Sequence, residues 1–229
     1  MRKILAIAIL LLSCGTDPSS SLSSRDKPLL VMLSGNATCG TDPLTDETSP
    51  RGTKAWPLFS TILAEHKDSP WLASCHDFSS NTVFLTSDNL KARRAGYDVI
   101  LKDMDRLAAS ATRIAIWGHS YGGWQAIKAT VNTASTLPIS MLTDDPINRL
   151  NCTYSDFFGC THGVSDMGKD LTTAKARATV WVNYYETAGF VHSQPIAEAQ
   201  RNIQLPIRHI YMSTDKSVWN TFGQFAGNL

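Results

Sequence analysis

The chain has 229 residues, with 21 Lys and Arg against 20 Asp and Glu, a net charge of +1 and 43% hydrophobic residues. That balance excludes a polybasic nucleic-acid or membrane-surface binder, and the length suits one domain with a sizeable core. No internal repeat or low-complexity block interrupts it.

The chain opens on Arg2 and Lys3, then an apolar run from Ile4 to Leu12, then Ser13 and Cys14. A basic start and a short apolar run read as a secretory signal over residues 1–13, too short to cross a bilayer as a mature helix. The stretch Leu11-Leu12-Ser13-Cys14 resembles a bacterial lipobox, which marks Cys14 for diacylation. Residue 15 is glycine, so the aspartate that retains such proteins in the inner membrane is missing. The resemblance implies export to the bacterial cell envelope, with a lipid anchor in the outer membrane, at its periplasmic side or surface. Residues 14–27 are polar and Ser-rich, and read as a flexible tether ahead of a domain over residues 28–229.

Pro28–Gly35, "PLLVMLSG", is an apolar run ending on glycine, as a buried parallel strand does. Trp56–Lys67 has helical spacing. Asn81–Ser87 reads as a second strand and Asn89–Ser110 as one long helix, with Lys91–Gly96 as its solvated face. Thr112–Ser120 is a third strand, Tyr121–Ala134 a helix, and Leu137–Pro146 a fourth strand. Asn148–Lys175 reads as irregular, Ala178–Glu186 as a fifth strand, Asn202–Leu205 as a short sixth and Lys216–Leu229 as a closing helix. Strands alternating with helices at this spacing predict an α/β fold: a mostly parallel central sheet with helices on both faces. Ligands of such sheets bind at the carboxyl ends of the strands. Trp124, Trp181 and Trp219 read as core residues.

Gly118-His119-Ser120-Tyr121-Gly122-Gly123 falls at the junction of the third strand and its helix. A Gly-x-Ser-x-Gly there makes a turn so tight that side chains two positions either side of the serine would strike backbone. The glycines leave Ser120 as the exposed nucleophile. The helix N-terminus favours developing negative charge, and the Tyr121 N–H becomes an oxyanion donor. This setting, with the strand order over residues 28–229, resembles the α/β-hydrolase superfamily in a minimal form without a large cap domain.

The resemblance implies a chain order of Ser, then Asp or Glu, then His. Asp145, in "TDDPIN" at the end of the fourth strand, is similarly placed to the acid of pancreatic-type lipases, with Asp144 and Glu186 as alternatives. His209 follows the last short strand and takes the base position, with His192 as its rival. Asn36, just past Gly35, supplies the second oxyanion N–H. His119 shapes the turn.

Excluding Cys14, four cysteines remain: Cys39, Cys75, Cys152 and Cys160. Three pairings are open. Cys39–Cys75 and Cys152–Cys160 are preferred, because the second closes a short loop and the first ties neighbouring segments. No Cys/His spacing suggests a metal site. The loop Asn151–Gly163 carries Phe157 and Phe158, either to wall an acyl pocket or as an ordinary stabilised loop. The implied activity is carboxylic-ester hydrolysis, esterase- or lipase-like, through a Ser120–His209–Asp145 triad with no cofactor. Its substrate is a small-molecule or lipid ester. An acyltransferase, a thioesterase and a non-catalytic envelope protein on the same scaffold are the alternatives.

Overall fold

The computed structural model describes residues 26–36, 38–76, 82–148, 162–188 and 194–227. The signal, Cys14 and most of the tether, Cys152 and Cys160, the Phe157–Phe158 loop and His192 lie outside them.

Twelve strands and six α-helices are described. In chain order they are β1 (Pro28–Asn36), β2 (Gly40–Thr41), β3 (Thr48–Ser49), α1 (Trp56–Glu65), β4 (Trp71–His76), β5 (Thr82–Thr86), β6 (Asn89–Ala95) and α2 (Tyr97–Ala108). Then come β7 (Arg113–His119), α3 (Tyr121–Asn132), β8 (Ile139–Asp144), β9 (Ile147–Asn148), β10 (His162–Gly163), α4 (Lys169–Arg177), β11 (Ala178–Glu186), β12 (Arg201–Leu205), α5 (His209–Met212) and α6 (Lys216–Ala226).

Eight strands form one sheet in the order β12-β11-β8-β7-β1-β4-β5-β6. From β12 to β4 the neighbours are parallel, whereas β5 and β6 extend the sheet as an antiparallel meander. This helix-covered, mostly parallel sheet is the α/β architecture expected from the sequence.

Alternate residues of each central strand bury on opposite faces, as the two-residue period of a strand requires. Leu29, Val31 and Leu33 join Ile114, Ile116, Ile139 and Met141 in a core completed by Ile100 and Met104 of α2 and Trp124 and Ile127 of α3. Leu30 and Met32 join Ala115, Trp117 and Leu142 beneath Phe59 of α1 and Trp219 and Phe222 of α6. Trp124, Trp181 and Trp219 are all buried.

The predicted helix Asn89–Ser110 is divided. Ser87 and Asp88 form a turn, Asn89–Ala95 pairs with β5, and α2 begins only after Gly96. Lys91–Gly96 is therefore no helix face. Its charges lie on an edge strand, where they discourage pairing with another chain, and Arg93 lies over the Phe84 ring at 4.3 Å while binding Asp103 at 2.9 Å. Besides the two-residue strands β2, β3, β9 and β10 and the short α5, two longer elements are not apparent in the sequence. In β4, Ala73 and Ser74 dilute the apolar signal although Leu72 through Cys75 are all buried; α4 lies within the segment expected to be irregular. Cys39 and Cys75 form a disulfide.

Candidate active site

Ser120 joins β7 to α3 at φ 58° and ψ −125°, in the left-handed half of backbone space that L residues rarely adopt. The glycines around it are required by close approach. A Cβ on Gly122 would fall 1.9 Å from the Leu33 carbonyl oxygen, and one on Gly118 would fall 2.3 Å from that of Gly122. Hydrogen bonds hold the turn: Ser120 N–H donates to Asp144 O at 3.0 Å, and Ser120 O accepts from Gly123 N–H at 2.9 Å and Ile147 N–H at 3.0 Å.

Asp145 follows β8, fully buried and also at positive φ (51°), with its N–H donating to Tyr184 O at 2.8 Å. The bonds from Ser120 and Ile147 therefore stitch the serine turn to the turn carrying Asp145. His209 opens α5 and places Nδ1 in a hydrogen bond with Asp145 Oδ2. Because a carboxylate only accepts, Nδ1 carries the proton and Nε2 is left as the basic nitrogen. Burial raises the Asp145 carboxyl above its ordinary range and Glu186 adds to this, while the bond to His209 pulls it back. Among the described residues, Ser120 Oγ makes no hydrogen bond to His209 Nε2; catalytic contacts commonly tighten only when substrate binds.

Of the candidate acids, it is Asp145 that meets His209. Asp144 is fully buried with both carboxyl oxygens unpartnered, and Glu186 ends β11 beside Asp145. Tyr121 is the first residue of α3, its ring stacked on Trp124 at 5.1 Å and edge-on to His76 at 5.1 Å. Asn36 ends β1, and the preceding Gly35 presses on the serine so closely that a Cβ there would lie 3.0 Å from Ser120 Oγ.

Sequence reasoning gave His119 a role in shaping the turn; the structure adds two contacts. Its ring is buried, stacked on His209 at 4.7 Å, with Nε2 3.1 Å from the His209 carbonyl oxygen. Burial, then the charge of His209, holds it well below the ordinary histidine range. The partner of an elbow histidine is set by which loop returns over the sheet, which the motif does not encode. Beside the acid turn, a cavity of about 240 Å³ is lined by Pro146, Val164, Leu171, Pro195 and Ile196, with Glu198 at its wall. Among the described residues no group of three or more His, Cys, Asp or Glu could hold a metal, and no helix is long and apolar enough to cross a membrane.

No protein-family model matches the chain, and no curated protein matches it in sequence. The structure is similar to a CIB-like hydrolase of Thermoplasma acidophilum at 10% identity, over 90% of this chain and 89% of that one, with TM-score 0.47. It is similar to a hydrolase of Pseudomonas aeruginosa at 10% identity, over 87% and 89%, with TM-score 0.47. A meta-cleavage product hydrolase of Pseudomonas fluorescens is similar at 10% identity, over 87% and 91%, with TM-score 0.46. At such values no chemistry is carried over from them.

Proposed function

We propose that the protein is a serine hydrolase of carboxylic esters, with Ser120 as nucleophile, His209 as base and Asp145 as the acid that orients it. The observation that carries this reading is the His209–Asp145 hydrogen bond at the carboxyl edge of the sheet, beside a serine held at positive φ. Ser120 Oγ attacks the acyl carbon as His209 Nε2 takes its proton. The backbone N–H groups of Tyr121 and Asn36 receive the oxyanion, each worth about a hundredfold or more in rate. His209 then protonates the leaving alkoxide, and water, deprotonated by the same nitrogen, releases the acid.

The test is hydrolysis of p-nitrophenyl esters of increasing chain length, with fluorophosphonate labelling. Ser120→Ala is expected to lower kcat at least about 10,000-fold, His209→Ala to abolish turnover and His192→Ala to retain it. Folded parent protein that neither turns over any ester nor labels at Ser120 overturns the reading. The same proposal places the enzyme in the bacterial envelope on a lipid at Cys14; incorporation of a fatty-acid probe, lost in Cys14→Ala, tests that arm.

A further inference from the structure

Behind His209 lie two buried polar groups that the proposed chemistry does not use. Asp144 ends β8 with no exposed surface, and neither carboxyl oxygen has a hydrogen-bond partner. His119 ends β7 with Nδ1 likewise buried and unpartnered. Leaving either group unsatisfied in the interior costs far more than pairing it.

His119 and Asp144 are register partners on adjacent parallel strands. Such partners project from the same sheet face, on strands about 4.8 Å apart. Two residues earlier on each strand, Trp117 and Leu142 face the core beneath α1 and α6, so both side chains belong to that face. The two groups make no direct hydrogen bond, and a single water is the bridge that would satisfy both.

Their hydrogen-bonding capacities are complementary. His119 Nε2 faces the His209 carbonyl oxygen at 3.1 Å, and a carbonyl only accepts, so Nε2 carries the hydrogen. A neutral ring then has Nδ1 as a bare acceptor. A carboxylic acid at Asp144 has one O–H to give. An ionised Asp144 would have nothing to donate, and would stand beside Asp145 and Asp215 with no cation paired to it.

We infer that Asp144 is a neutral carboxylic acid whose O–H donates, through one buried water, to Nδ1 of His119, forming a second Asp–His pair that fixes the backbone of His209 while Asp145 fixes its ring. The second pair is a positioning device. Its catalytic consequence rests on the serine-hydrolase reading; the hydrogen bond does not. Burial, then Asp145 and Asp215, raises the Asp144 carboxyl well above its ordinary range, and burial lowers His119, the directions a neutral pair requires. The groups facing Asp144 are Asp145 from its own turn, His119 from β7, Tyr184 from β11, Asp215 at the head of α6, and His209 beyond His119, with Glu186 of β11 acting on Asp145.

The test uses the full chain, with Asp144→Asn retaining a donor on an isosteric side chain and Asp144→Leu removing it. Infrared difference spectra of protein carrying a ¹³C aspartate carboxyl are expected to show a protonated-acid band at pH 5.5 and 7.5 that is lost in Asp144→Asn. The ¹⁵N resonance of His119 Nδ1 is expected to report an accepted hydrogen bond in the parent and in Asp144→Asn. With p-nitrophenyl esters, Asp144→Asn keeps kcat within about threefold, whereas Asp144→Leu lowers it about 10- to 100-fold with KM little changed, the usual effect of losing an outer orienting partner. Absence of the acid band at pH 5.5 overturns the inference, as does Asp144→Asn losing as much kcat as Asp144→Leu. If Asp144→Leu fails to fold, the spectra and Asp144→Asn decide. If the parent hydrolyses no ester, the spectra still decide the pair while the hydrolase reading falls separately.

Discussion

Ser120 occupies a backbone conformation that costs on the order of 1–3 kcal/mol, and its three backbone hydrogen bonds and the surrounding glycines keep it there. The same substitution is expected to act with opposite sign at two glycines. Gly122→Ala drives a Cβ into the Leu33 carbonyl, backbone against backbone, and should destabilise by about 3 kcal/mol or prevent folding. Gly223→Ala, within α6 and 4.0 Å from its nearest neighbour, Ile62 Cδ1, should stabilise by about 0.5–1 kcal/mol. Chemical denaturation of the two variants checks both signs. Buried acids and bases also set a pH dependence. Asp144, and Asp145 with it, is raised by burial, so the folded state keeps protons that the unfolded chain releases above about pH 3.9, and stability falls as pH rises. His119 is lowered by burial, so the unfolded chain gains a proton below about pH 6.5 that the folded state refuses, and stability falls as pH drops. Between those values the two aspartates and His119 oppose one another; above about pH 6.5 His119 plays no further part, and stability falls by at most about 1.4 kcal/mol per pH unit for each aspartate that still holds its proton. The unfolding temperature should therefore fall from pH 6.5 to 8.5, and fall less in Asp144→Asn; equal falls would dismiss the ionisation of Asp144 as the cause. Ser120 and Asp145 were legible because a motif and an Asp-Pro turn mark them. Asp144 and His119 were not legible as a pair, because their relation depends on strand register and on which face each residue takes.

Among the elements, β1, α1, β7, α3, β8 and β11 were readable from apolar runs and helical spacing. The division at Gly96 was not, since "KARRA" carries charges that suit an exposed helix as well as an edge strand, and only pairing with β5 decides between them. The disulfide has a local role beyond cross-linking. Cys39 lies three residues after Asn36, and Cys75 precedes His76, the register partner of Asn36. Thr38 N–H also donates to His76 O at 3.3 Å. The bridge thus ties the loop that presents the Asn36 N–H to the end of β4. Replacing both cysteines with serine should cost roughly 3–4 kcal/mol by chain entropy for a separation of 36 residues, and should lower kcat for ester more than it raises KM. Thermal unfolding and steady-state kinetics on the double variant separate the two effects.

For the molecule as a whole, alternation of strands and helices was enough to predict a mostly parallel, helix-covered sheet. Strand order was less legible: nothing in periodicity says that β4 lies on one side of β1 and β7 on the other. That arrangement brings the carboxyl ends of β1 and β7 side by side, where Gly35 meets Ser120. The backbone bonds across the serine turn have a consequence for assembly. Ser120 is tied to Asp144 and Ile147, and Asp145 to Tyr184, so the turns after β7 and β8 close only when β11 is also in place. On the proposed serine chemistry, a chain that has paired fewer strands has no competent serine, and reactivity becomes a clock for completion of the sheet. During refolding, fluorophosphonate capture at Ser120 should lag the recovery of helical signal and coincide with burial of Trp181 on β11.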